Sequence, residues 1–168
     1  IFKTQESGSF VHMTSTSALV GNRAQANYSA AKMGIVGLSR SIAIDMHRSG
    51  VRSNCIAPFA WSRMVASIPI QSEQQRAAAE RKQALMTPAK VAPLVAYLAS
   101  DLSKDVTGQI FAVRGNEVML MSQPRTLRSV HQSDGWTAQS IAEHAMKAFR
   151  RDLYPLDETA DVFNWEPI

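Results

Sequence analysis

Three short apolar runs, separated by stretches with helical spacing, limit how this chain can fold more than any other feature. They are SFVHMT at 9–14, after the turn signal Ser7-Gly8, VRSNCIA at 51–57, stopped by Pro58, and GQIFAV at 108–113. Each is short and bounded by turn residues, as a buried strand is. Between the first two, a helix is predicted from about Asn27 to His47. Ala31, Ile35, Leu38 and Ile42 share one face of it, and Gly50 follows its end. A second helix is predicted over 72–86, with Ser72 and Gln75 spaced as a capping box. A third opens at Thr87-Pro88 and contains Pro93, which should bend it. Strand, helix, strand, helices, strand is the alternation of a parallel sheet covered by helices. Beyond Gly115 the pattern changes to one helix, 138–150, capped by Thr137, and an irregular arm, YPLDETADVFNWEPI.

A chain of 168 residues, 45% hydrophobic and 19% charged, is long enough for one domain with a real core. Its 18 Lys and Arg are scattered, so the net charge of +4 gives no basic stripe for nucleic acid. No apolar run is long enough to span a bilayer, and no leader pattern opens the chain. Cys55 stands alone, which fits core packing in a reducing compartment. His12, His47, His131 and His144 share no ligand spacing, so no metal site is expected.

Ser15 falls at the carboxyl end of the first strand, the edge where ligands bind in open α/β sheets. Tyr28 and Lys32 are four apart in the first turns of the next helix, hence side by side on one face. An ammonium beside a phenol favours the ionised phenol, which suits it to pass a proton to or from an alcohol or ketone. A second hydroxyl, from Ser15, could orient the same oxygen.

The segment MTSTSALVGNRAQANYSAAKMGIVGLSRSIAIDM resembles the catalytic stretch of the short-chain dehydrogenases/reductases, with a serine thirteen residues before the tyrosine. The resemblance continues through GVRSNCIAP and VAPLVAYLASDLSKDVTGQIFAV, about a hundred residues in order. It implies a doubly wound, Rossmann-type α/β fold, of which this chain holds the carboxyl-terminal portion. That portion comprises the last three strands over 1–115 and a tail with one helix over 116–168, part of the same domain. It implies that Ser15 (in preference to Ser17), Tyr28 and Lys32 are catalytic and that Tyr28 and Lys32 also face the cofactor, NAD or NADP. The family's glycine-rich phosphate loop and Asn-Asn-Ala-Gly segment precede this stretch and are not in these residues. The chain therefore reads as truncated, and inactive alone.

IAPFAWSRM, GNRAQANYSAAK and the pair Arg125-Thr126 before a helix resemble the (3R)-hydroxyacyl-CoA dehydrogenase branch found in peroxisomal multifunctional enzymes. By that match Pro58, Phe59 and Ala60 run along the nicotinamide and Ser62 hydrogen-bonds towards it. Many relatives have glycine where Phe59 stands. The substrate implied is a 3-hydroxyacyl-CoA, with Arg114, Arg125 and Arg128 offered to its phosphates. Alternatives are a steroid or other small alcohol or ketone, and a non-catalytic split subunit. The family also implies a homo-oligomer, dimer or tetramer, through the helix bearing Tyr28. The location it implies is cytoplasmic, or peroxisomal in a eukaryote.

Overall fold

The computed structural model describes residues 1–67 and 69–167. Its sheet has four strands, β1 (Gly8–Met13), β2 (Val51–Phe59), β3 (Ile110–Arg114) and β4 (Glu117–Leu120), in that spatial order. β1, β2 and β3 are parallel, with Gly8 opposite Val51 and Cys55 opposite Ile110. This is the Rossmann-like arrangement expected. The helices of the same region are α1 (Phe2–Gln5), α2 (Thr16–Leu19), α3 (Ala26–Asp45), α4 (Arg63–Ala66), α5 (Glu73–Leu85) and α6 (Ala92–Ala99).

Alternation along β2 covers both faces of the sheet. Ile56 joins Val113, Val91 and Leu98 in an apolar cluster on the α6 side, with Val11, Leu94 and Val95 packed around it. Ser53 points the other way, where its hydroxyl meets those of Ser39 on α3 at 2.9 Å and His12 Nε2 at 3.2 Å. Cys55 lies on this side too; burial pushes its thiol pKa up, against a smaller lowering by Ser39. The result is an inert packing residue.

Helix α3 buries Ser39 and Ala43 fully, while Ile35 and Ile42 of its apolar row are half-buried. Small side chains let a helix sit close to a sheet, and larger residues are left outside: Leu38 is 55% and Ile44 65% exposed. Pro58 also departs from expectation, since β2 continues through it to Phe59. The β1 ladder ends at Ile56, so from there β2 pairs only with β3, and a residue lacking N–H is tolerated. Pro93 lies in the first turn of α6, which starts only at Ala92, so its missing N–H costs no intrahelical bond. Ser72 caps α5 as expected, accepting from Gln75 N at 3.2 Å, but the Gln75 side chain accepts from Gln71 N instead of closing the box.

Arg52 lies buried at the end of α6, 8% exposed. Its guanidinium donates to the carbonyls of Leu98 (2.9 Å), Ser100 (3.0 Å) and Ser103 (3.0 Å), and to the Ser103 hydroxyl. It thus adds charged donors to the carbonyls at the helix end and places a cation at the negative pole.

β4 is an addition to the three strands expected. Gly115 has φ 62 at the first position of a two-residue turn, the place where a II′ hairpin needs glycine. The arm is not wholly irregular either: Thr159–Val162 is a helical turn with a capping box from Glu158 and Asp161.

Two compact units are present: Ile1–Ser122 with the segment from Asp157 on, and Gln123–Leu156. In the second, Thr137 caps a helix that runs from Ala138–Ser140 through a π-turn at Ile141–Ala145 into Met146–Phe149. Arg128 pairs there with Asp152 at 2.7 Å. Among the described residues no helix is long and apolar enough to cross a membrane.

Candidate functional site

The carboxyl edge of the parallel strands gathers the residues singled out in the sequence. Met13 ends β1, and Ser15, in extended conformation (φ −155, ψ 147), caps α2. Its Oγ accepts from Ser17 N at 3.2 Å. A hydroxyl used as an acceptor still has its own proton to donate. Ser17 is buried, and its Oγ accepts from Asn22 Nδ2 at 2.8 Å, so this hydroxyl is engaged within the loop.

Helix α3 begins at Ala26 and brings Tyr28 and Lys32 back over this segment. Lys32 Nζ donates to Met13 O at 3.0 Å and stands 5.8 Å from the Tyr28 ring centroid. Thr14 Oγ1 donates to Lys32 O at 2.8 Å, and Ser29 Oγ to Ser17 O at 2.8 Å. These bonds tie the first turns of α3 to residues 13–17. The Tyr28 hydroxyl has no hydrogen-bond partner among the described residues, and the side chain is 43% exposed. A phenol open to solvent, with an anchored ammonium beside it, can exchange a proton with a ligand oxygen.

Pro58 and Phe59 close β2 at the same edge, paired with Val113 and Arg114. Phe59 packs edge-on against Phe163 at 5.1 Å. Ala60 touches the apolar cluster, and Trp61 N donates to Met86 O at 2.7 Å. Ser62 is exposed and caps α4, accepting from Val65 N at 3.3 Å.

The three arginines offered to phosphates fall in two different units. Arg114 is buried, pairs with Glu117 at 3.2 Å, donates to Phe163 O and Trp165 O, and stacks over Trp165 at 4.6 Å. It is therefore a buried structural cation that ties Glu117 to the Phe163 and Trp165 carbonyls. Arg125 and Arg128 belong to the second unit, where Arg128 is paired with Asp152.

Two residues of the neighbourhood escaped the sequence reading. Asn22 bridges Ser17 to Thr159, donating to Thr159 Oγ1 at 3.2 Å. Ala24 has φ 56 in the loop before α3. Left-handed backbone costs a residue with a Cβ about 1–2 kcal/mol, part of which glycine loses again to unfolded-state entropy. Ala24→Gly should therefore stabilise the full-length protein by about 0.5–1 kcal/mol. Chemical denaturation would show this as a higher midpoint at unchanged slope; a lower midpoint would contradict it.

Among the described residues no group of three His, Cys, Asp or Glu is placed to hold a metal ion.

Residues 1–115 match the family model described as enoyl-(acyl carrier protein) reductase. The cis-4-hydroxycyclohexanecarboxylate dehydrogenase of Sinomonas cyclohexanicum is 39% identical over 110 residues, 65% of this chain and 44% of that one. The peroxisomal hydratase-dehydrogenase-epimerase of Neurospora crassa is 37% identical over 125 residues, 74% of this chain and 13% of that one. Among solved structures, a short chain dehydrogenase from Mycobacterium avium superposes with a TM-score of 0.70 at 30% identity, covering 88% of this chain and 47% of that one. The chain thus spans less than half the length of these proteins.

Proposed function

The chain belongs to the short-chain dehydrogenase/reductase family, and from that premise we propose that it carries the proton-transfer machinery of an NAD(P)-dependent enzyme interconverting a secondary alcohol and a ketone. One observation carries the proposal: Lys32, anchored on Met13 O, holds its ammonium beside the exposed Tyr28 phenol at the strand edge where Ser15 begins the next turn.

In this reading Ser15 donates to the substrate oxygen while its Oγ continues to accept from Ser17 N. In its deprotonated form Tyr28 takes the alcohol proton during oxidation, and as the phenol it gives that proton to the carbonyl oxygen during reduction. Lys32 keeps its positive charge beside the phenol ring. The donor set also fits the ribose end of a nicotinamide cofactor, because Met13 O engages only one of the three protons on Lys32 Nζ. When bound, that cofactor supplies hydride exchange at the carbinol carbon. Pro58, Phe59, Ala60 and Ser62 would lie along its nicotinamide, and the choice between NAD and NADP rests with residues outside this chain.

For the substrate we propose a (3R)-3-hydroxyacyl-CoA, supported by the IAPFAWSRM segment and by the likeness to the peroxisomal hydratase-dehydrogenase-epimerase. Arg114 makes no contribution to that choice. An alicyclic alcohol is the second reading, on the likeness to the cis-4-hydroxycyclohexanecarboxylate dehydrogenase. The assay follows NAD and NADP reduction by the full-length protein with (3R)- and (3S)-3-hydroxyacyl-CoA, cis-4-hydroxycyclohexanecarboxylate, a hydroxysteroid and simple secondary alcohols. Preference for the (3R) thioester is expected. Turnover of free alcohols with no thioester activity would overturn the substrate, and no turnover of any would overturn the enzyme.

The half-exposed Met33 and exposed Leu38 and Ile44 of α3 support self-association through that helix, as a dimer or tetramer. The single buried Cys55 is compatible with the cytoplasm or a peroxisome.

A further inference from the structure

We infer that Thr159, far along the chain in the carboxyl-terminal segment, is a positioning residue for Ser15, acting through Asn22 and Ser17. The inference rests on Ser15 being catalytic, as proposed above.

The hydrogen bonds run without a gap. Thr159 N and Oγ1 both donate to Gly21 O, at 2.9 and 3.1 Å. With its proton so used, Thr159 Oγ1 accepts from Asn22 Nδ2 at 3.2 Å. The other proton on Asn22 Nδ2 goes to Ser17 Oγ at 2.8 Å. Ser17 N then donates to Ser15 Oγ at 3.2 Å. Both amide protons of Asn22 and the Thr159 hydroxyl proton have one acceptor each. Thr159 and Ser17 are buried, so a missing partner is not simply replaced by bulk water.

The same segment is held from both sides. Glu158 pairs with Arg23 in the loop before α3. Phe163 packs on Phe59, and its carbonyl accepts from Arg114 at 2.9 Å. The Asp157–Trp165 stretch therefore touches the loop leading from Ser15 and the strand end bearing Phe59. Without the Thr159 hydroxyl, Asn22 keeps a proton with no acceptor and can turn away from Ser17. The turn that aims Ser15 then loses its brace. A small displacement of a group that must meet a reacting oxygen lowers the rate more than it lowers binding.

The test uses the full-length protein with its best alcohol substrate. Thr159→Val, nearly isosteric, should lower kcat about five- to tenfold with the KM for the nicotinamide cofactor unchanged. Thr159→Ser, which restores the hydroxyl, should stay within about twofold of the parent. Asn22→Ala should reproduce the loss, and the double variant should lose no more than either single one, since both cut the same chain of bonds. Additive losses, or equal kcat in the Val and Ser variants, would overturn the inference. Hydrogen–deuterium exchange over residues 15–22 gives a readout independent of turnover: faster in Thr159→Val, parent-like in Thr159→Ser. If the parent oxidises no alcohol, the functional reading fails, and this exchange comparison alone decides whether Thr159 braces the Ser15 turn. Parent-like exchange in Thr159→Val would show that it does not.

Discussion

Tyr28→Phe in the full-length protein is expected to lower turnover of the alcohol by at least about a hundredfold, the usual scale for a lost acid–base group, with the fold unchanged. The Tyr28 hydroxyl has no protein partner among the described residues, so its removal orphans nothing in the structure. The aromatic ring near Lys32 Nζ, 5.8 Å from it, is kept by phenylalanine. Only the proton-transferring atom is removed. Cofactor absorbance gives the rate, and circular dichroism and the melting temperature report the fold. Undiminished turnover would end the mechanism, whatever the substrate.

Arg52→Met should cost about 3 kcal/mol of stability, a large share of the roughly 5–15 kcal/mol that holds an ordinary domain. Methionine keeps much of the volume but none of the donors. The carbonyls of Leu98, Ser100 and Ser103 each lose a charged donor. Two effects oppose this. Methionine is easier to bury than a cation, and the Ser103 hydroxyl is placed to donate to the Leu98 or the Ser100 carbonyl, at 3.1 Å from each. Leu98 O also keeps the Ser9 hydroxyl at 2.7 Å and Ser103 O keeps Val106 N at 2.9 Å, so the expected loss is that of the charged bonds themselves and of the cation at the helix end. Arg52→Lys should recover only part, since an ammonium on a flexible stem lacks the planar fork that reaches several carbonyls at once. Equilibrium unfolding of the three proteins decides the matter; a methionine variant as stable as the parent would show that the cation is not needed.

The parallel core was legible because strand runs and helix signals are local. Ser15, Tyr28 and Lys32 could be singled out, and are proposed as catalytic, because a fixed offset and a one-turn spacing can be read without a structure. What escaped is held from a distance. The Thr159–Val162 turn has too little length or periodicity to declare itself, and its partners Gly21 and Asn22 lie far earlier in the chain, as does Arg114, which holds the following Phe163. Arg114 looked like a free cation until Glu117 and the Phe163 and Trp165 carbonyls surrounded it. β4 had a signal that could have been used, Gly115-Asn116 between apolar alternations, the pattern of a two-residue hairpin. Helix α3 misled in a different way. Ala31, Ile35, Leu38 and Ile42 share one face, yet the fully buried positions are Ser39 and Ala43, and only Ile35 and Ile42 of the row are half-buried. Periodicity finds a face and cannot say what the face meets.

The register of the sheet has a consequence for how the chain reaches this state. Partners in the β1–β2 and β2–β3 ladders are separated by about forty and about fifty-five positions, so each pairing must first close a long, entropically costly loop. The β3–β4 pairing needs only the turn at Gly115-Asn116, and so could form on the microsecond scale of hairpins. The hairpin edge is then the natural template: Cys55 and Ile56 can dock on Ile110 and Phe111, and β1 adds last. Every residue of the candidate site lies outside that early hairpin. Ser15, Tyr28 and Lys32 thus come into register only when the slowest contacts are made, and competence to react would be among the last properties the folding chain acquires.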